Sequence, residues 1–191
     1  TTVVGVINVP EQANGYKVVR VGYQAFVNCR NVTEVVLPNT VTELYLYSFA
    51  YSGIKRFTLP RSVSIIHYAA LTETDSLETI IVDSENPVFD SRNNCNAIIE
   101  TASNTLVRGC ITSFVPDGIT AIGSGAFLSC CAHDWTIELP NSVTRIETQA
   151  FNSCDLTDIK LSNNLQYVGY SAFGGSKLTS VVIPASVTEM G

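Results

Sequence analysis

No apolar run in this 191-residue chain approaches the roughly 18 residues that a membrane-spanning helix requires, although 46% of its residues are hydrophobic. Insertion into a membrane is therefore not expected for this segment. Basic residues are scarce too: 11 Lys and Arg stand against 17 Asp and Glu, and Lys55-Arg56 is their only adjacent pair. Duplex nucleic acid and anionic membranes both reward clustered cations, so a scattered set with a net charge of −6 points away from either partner. The opening TTVVGVINVP lacks the basic start and apolar core of a signal peptide, which leaves a cytosolic protein or a mature or trimmed chain. Phosphate-binding loops, Gly-x-Ser-x-Gly and His-Glu-x-x-His are missing as well. No cofactor and no metal is expected.

What the chain has instead is repetition. Ala25-Phe26, Ser48-Phe49, Ala70-Leu71, Ala126-Phe127, Ala150-Phe151 and Ala172-Phe173 follow one another at spacings of 23, 22, 56, 24 and 22 residues. A second marker, an apolar residue before Pro, recurs independently at Leu37-Pro38, Leu59-Pro60, Leu139-Pro140 and Ile183-Pro184, with Ile81-Val82 and Leu161-Ser162 as degenerate forms. Both markers give a period of about 22 residues, the signature of a repeat array. Before each Pro the residues alternate apolar and polar, as in Phe57-Thr58-Leu59, which predicts a half-buried strand that Pro then stops. A second short extended piece follows, as in Ser142–Ile146, and then the Ala-Phe turn, expected as one helical or 3₁₀ turn. Gly22, Gly123 and Gly169 precede that turn, but Tyr45, His67 and Glu147 take the same slot, so a strict left-handed backbone is either not required there or tolerated at roughly 1 kcal/mol. One unit cannot bury its own apolar face. Stacked units can, and they form a solenoid with a parallel sheet.

The period breaks after Val82. Asn96–Glu100 and Thr105–Gly109 read as two strands around the turn 101–104, an inserted β-hairpin. Cys95 and Cys110 stand symmetrically about that turn and are candidate disulfide partners, provided the hairpin keeps its register, since a slip of one residue separates the sulfurs. Three of the other cysteines have a simpler explanation. The residue three after each Phe position is Cys29, Ser52, Thr74, Cys130, Cys154 or Ser176, a structural ladder of small side chains. Cys131, His133 and Asp134 together suggest a nucleophile with its base, or a zinc set. The spacing is unlike structural zinc, no second ligand pair accompanies it, and a bulged loop covered by Trp135 is the plainer reading.

The outward strand positions make two rows. One is Glu34, Arg56, Thr79, Thr136, Asp158 and Ser180; the other is Val36, Thr58, Ile81, Glu138, Lys160 and Val182. They are the candidate binding face, with Val36, Ile81 and Val182 as exposed apolar points, although β-branched residues also simply suit strands. Tyr23, Tyr45, Tyr47, Tyr68 and Tyr170 gather around the Ala-Phe turn instead, as surface contacts or as packing on the convex side.

The phrase LPNSVTRIETQAFNSCDLTDIKLS resembles the leucine-rich repeats of BspA-like surface proteins, and NPVFDSRNNCNAIIETASNTLVRGC is similar to a segment that recurs between repeats in that family. Residues 5–19 resemble the strand pair that precedes its first repeat. The resemblance spans the chain and implies a curved leucine-rich-repeat solenoid of α/β class, mostly β with short helical or 3₁₀ turns, within a single domain. Its parts would be a strand pair (1–19), repeats 1–3 (20–82), the hairpin insertion (83–115) and repeats 4–6 (116–191). It further implies an extracellular or cell-surface location, no catalytic residue, and adhesion through a protein ligand: a host, matrix or other cell-surface protein. A glycan ligand, or a spacer role in a larger surface protein, is the alternative, and an enzyme using Cys131 and His133 a third reading. Leu71, Ser162 and the lengthened stretch 130–139 depart from the pattern. Another Ala-Phe turn would be due after Gly191, which suggests a piece of a longer array or a naturally short one.

Overall fold

The computed structural model describes residues 4–130 and 135–191. The first part of the chain forms β1 (Gly5–Asn8), a small hairpin of β2 (Gln12–Ala13) and β3 (Tyr16–Lys17), then β4 (Arg20–Val21), β5 (Val32–Val36), β6 (Glu43–Leu44), β7 (Arg56–Leu59), β8 (Ile65–Ile66) and β9 (Thr79–Val82). The insertion adds β10 (Phe89–Asp90), β11 (Ile98–Glu100) and β12 (Thr105–Arg108). The remainder supplies β13 (Ala121–Ile122), β14 (Trp135–Glu138), β15 (Arg145–Ile146), β16 (Leu156–Lys160), β17 (Tyr167–Val168) and β18 (Glu189–Met190).

Every repeat but the last contributes one strand to a front ladder, and each contributes a two-residue strand to a second ladder. The front ladder runs in parallel through β1, β5, β7 and β9, and resumes as β14 and β16. Alternation explains its strands. In β7, Phe57 and Leu59 are buried while Arg56 and Thr58 face out, and Pro60 then withdraws a donor and stops the ladder. The Pro carbonyl accepts from the N–H three residues on at Val41, Val63 and Val143. Ser162 makes the same turn to Leu165, so its departure from the repeat leaves the geometry intact. The strand pair expected before the first repeat splits: β2 and β3 form the hairpin, while β1 stacks on β5 and begins the front ladder.

The Ala-Phe turns are not helical; the one helical segment among the described residues is a 3₁₀ turn at Arg92–Asn94. Each pair is bracketed by two left-handed residues, Gln24 and Asn28 in the first repeat, Tyr47 and Tyr51 in the second, Gln149 and Ser153 in the fifth. With a left-handed residue at either end, successive N–H groups of the turn point in alternate directions. Ala25 and Val27 donate back to Gly22 and Gln24, while Phe26 and Asn28 donate onward to Ser48 and Ala50 of the next coil. A 3₁₀ turn would aim them all along its own axis. A left-handed residue costs about 1–2 kcal/mol, and the onward hydrogen bonds offset it. Gly22, Gly123 and Gly169 are not among these positions.

Inside the turns the rings stack: Phe26 on Phe49 at 5.3 Å, and Phe127 on Phe151 on Phe173 at 5.1 and 5.7 Å. The insertion separates two cores. In β11, Ile98 packs into the N-terminal core and Ile99 into the C-terminal one, because adjacent strand residues face opposite ways. The hairpin forms as expected, but it is built into the solenoid: β10 pairs with β11, and β12 pairs in parallel with β13 of the second ladder.

A β-bulge at Ile98/Ile99 shifts the register, so that Ile99 faces Leu106 but Ile98 faces Arg108. That one-residue slip removes the register on which the candidate Cys95–Cys110 pairing depended. Both are free thiols lying in different cores, Cys95 beside Ser91 and Ala97, Cys110 beside Thr112 and the Asn96 carbonyl. Burial pushes the Cys95 thiol up, which keeps it protonated and unreactive.

Candidate binding face

Register places the outward rows on the front ladder. Glu34 lies beside Arg56 and Arg56 beside Thr79; Thr58 lies beside Ile81; Thr136 and Glu138 lie beside Asp158 and Lys160. The face therefore has two ends of different chemistry. Val36 and Ile81 are 43% and 39% exposed in the N-terminal half, whereas Lys160 pairs with Glu138 in the C-terminal half. Ser180 and Val182 do not join the rows. Residues 178–183 form no strand, and Val182 is left 87% exposed beside no ladder.

The rows begin earlier than the repeats suggest. Val6 stands beside Glu34 and Asn8 beside Val36, so β1 extends both. A larger omission lies in the middle, where Ser113-Phe114-Val115 takes the place of a front strand between β9 and β14. Phe114 is 47% exposed. Its position was readable: it stands two residues before Pro116, as Val36, Thr58 and Glu138 stand two before Pro38, Pro60 and Pro140.

Where the sheet is interrupted, a groove opens on each side. One, of about 770 Å³, lies between Thr79, Ile81 and the insertion residues Phe89, Arg92 and Asn96. The other, of about 550 Å³, lies between Phe114, Asp117 and the outward residues Thr136, Glu138 and Lys160. Side chains hold the first groove in shape. Asp90 accepts from Arg92 Nε at 2.9 Å and Nη2 at 2.6 Å and from Thr101, and this hydrogen bonding by Arg92 holds its carboxyl below the usual range. Asn96 closes the edge of β9: its Oδ1 accepts from Ile80 N–H at 2.6 Å, and its Nδ2 donates to Glu78 O at 2.8 Å.

The small-residue ladder lies at the Ala-Phe turns, away from the front ladder's strands. Ser52, Thr74, Cys130 and Cys154 are buried, Cys29 and Ser176 half-buried, and Thr74 and Cys154 donate to the carbonyls of Leu71 and Phe151. Tyr23 and Tyr47 meet edge-on there at 6.3 Å, and His67 stacks near Tyr45 while bonding Glu43 at 2.7 Å. Cys131, His133 and Asp134 lie outside the described residues. The loop expected under Trp135 lies there too, and Trp135 itself opens β14 and is buried against Phe127 and Phe151. Among the described residues no group of three His, Cys, Asp or Glu could hold a metal, and no helix is long and apolar enough to cross a membrane.

The family model for the BspA-type leucine-rich repeat region matches six copies, over residues 7–105 and 93–191. The structure is similar to a leucine-rich cell surface protein from Faecalibacterium prausnitzii A2-165, with 27% identity and a TM-score of 0.76 over 98% of this chain and 49% of that one. It is similar also to the pneumococcal vaccine antigen PcpA, at 19% identity and a TM-score of 0.79, over 98% of this chain and 47% of that one. The chain thus spans about half the length of both. No curated protein matches it.

Proposed function

Since the chain belongs to the BspA-type leucine-rich-repeat family, we propose that it is a non-enzymatic adhesion module, secreted or displayed at the cell surface, whose front ladder binds another protein. The observation that carries this reading is the row Val36, Ile81 and Phe114: three exposed apolar side chains on a face whose other outward residues, Val6 apart, are polar, with grooves on either side of the last. Apolar points inside a charged surround are the composition of a protein-binding patch, and Glu34, Arg56, Asp158 and Lys160 supply the surround. The face lacks an aromatic row on which sugar rings could stack. The similarity to a protein described as a cell surface protein supports the location. The binding unit on this reading is the whole of 1–191, with the insertion shaping the grooves.

The purified chain, presented to immobilised matrix proteins, surface proteins and a glycan panel, is expected to bind a protein saturably. A Val36→Glu/Ile81→Glu/Phe114→Glu variant with unchanged circular dichroism should bind at least about tenfold more weakly, as loss of a central apolar cluster implies. Undiminished binding by that variant, or binding confined to glycans, would sink the proposal.

A further inference from the structure

The stacked rings of the Ala-Phe turns are missing at one place. Between Phe49 and Phe127 the Phe position is held by Leu71 and then, in the insertion, by Gly109. Gly109 has no room for a side chain, since a Cβ there would lie 2.1 Å from Phe127 Cε1. Its N–H donates to Ala126 O, so the insertion passes through this layer as a coil without a turn. A cavity of about 230 Å³ opens beside it, lined by Tyr68, Leu71, Thr72, Val107, Arg108 and Ser124, with the exposed Tyr68 and Ser124 at its mouth.

Arg108 takes over part of the missing turn's work. Its Nη1 donates to Leu128 O at 3.2 Å and Gly125 O at 3.5 Å, and its Nη2 to Thr74 Oγ1 at 3.4 Å. These are long contacts. The residue is only 5% exposed, its Nε is buried without a partner, and Thr72 Oγ1 on the same cavity wall is also buried without one. Among the described residues no carboxylate lies within ion-pair distance of the guanidinium. Glu73, next to Thr74, is engaged by the Ser129 hydroxyl at 2.6 Å. A guanidinium stays charged in any protein, and a buried charge without a counter-ion is costly.

We propose that this cavity binds a small organic monocarboxylate. Its carboxylate would be held by Arg108 and Thr72, and its apolar part would lie against Leu71, Val107 and the Tyr68 ring. The size sets the class: drug-sized ligands occupy about 300–1,000 Å³, so this site takes something smaller. The charge does likewise. One planar guanidinium carries one positive charge and, with the Thr72 hydroxyl, matches a carboxylate, while a phosphate dianion would need a second cation that the lining lacks at neutral pH.

The test uses isothermal titration of the whole chain with acetate, isovalerate, benzoate and phenylacetate, and with benzamide as the neutral counterpart of benzoate. At least one acid should bind saturably, and benzamide about tenfold or more weaker than benzoate, the loss expected for a hydrogen bond to a charged group. Leu71→Phe restores the ring found in the other repeats and fills the cavity. It should abolish binding while the fold persists, and Arg108→Met or Thr72→Val should weaken binding with the cavity still open. N-acetylphenylalanine separates the two sources of such a group: binding equal to the best free acid would assign the site to a peptide C-terminus, and weaker binding to a free acid. No saturable binding of any acid, equal binding of benzamide, or binding retained by Leu71→Phe would overturn the proposal.

Discussion

Single residues decide where this repeat can vary. The left-handed positions around each Ala-Phe pair are held by Gln, Asn, Tyr, Ala, Glu and Ser as well as by Gly125 and Gly175, so no glycine pattern reveals them in the sequence. Their signature is instead the backbone ladder they feed, which only the neighbouring coil defines. Gly109 is the opposite case, a glycine demanded by space rather than by backbone angle, and the ring that demands it is Phe127. Gly109→Ala is expected to destabilise the fold by about 1–3 kcal/mol, the usual cost of forcing extra volume into a packed core. Thermal denaturation of the variant checks this, and an unchanged midpoint would mean that the Phe127 ring has room to retreat. Arg108 was equally hidden: on sequence it is a polar residue on a hairpin strand, and only the truncated coil makes it a buried cation.

At the scale of the element, alternation and turn composition were enough to identify the front strands from β5 to β16 and the hairpin, but the same alternation at 178–183 predicted a strand that does not form. They could not identify the bulge at Ile98/Ile99, because a bulge adds no residue type of its own, and with it went the candidate bridge between Cys95 and Cys110. The insertion is held by polar side chains instead, above all Asp90 with Arg92 and Thr101. Asp90 is held below its ordinary value chiefly by the Arg92 side-chain hydrogen bonds. A carboxylate depressed in the folded state contributes stability that is fully present above its unfolded value of about 3.9 and is lost as pH falls through the lower folded value. The insertion should thus keep its shape down to about pH 4 and loosen only below it. An NMR titration of the Asp90 side chain is expected to show a midpoint below about 3.9, moving up toward that value in Arg92→Gln. A midpoint at or above it in the native chain would dismiss Arg92 as the clamp.

For the whole molecule, the 22-residue period implies one continuous array, and the structure departs from that at one junction. Both ladders stop there: the front one at β9, and the second at β8, to resume with the insertion. Among the described residues no strand pairing connects the two sides. Side chains stitch them together, Asn96 and Thr112 to Glu78 and Ile80, Tyr68 to Gln149, Glu73 to Ser129, and Arg108 to Thr74. Repeat markers report the period of each coil and are silent about whether neighbouring backbones bond, which is why the junction was not legible. In an array whose stability is a sum of unit and interface terms, the weakest interface sets where cooperativity fails. Asn96→Gly with Thr112→Val removes the stitches at β9, and glycine keeps the left-handed backbone of Asn96, whose φ is 58°. Each lost hydrogen bond is worth about 0.5–1.5 kcal/mol, so several together rival the coupling between the halves. Trp135, the only tryptophan, lies in the C-terminal core and reports on that half alone. During urea unfolding, circular dichroism and Trp135 fluorescence should coincide in the native chain and separate in the double variant, with circular dichroism falling first as the N-terminal half unfolds alone. If the two probes still coincide in that variant, the cores are coupled through their apolar contacts across β11, and the stitches only dress the seam.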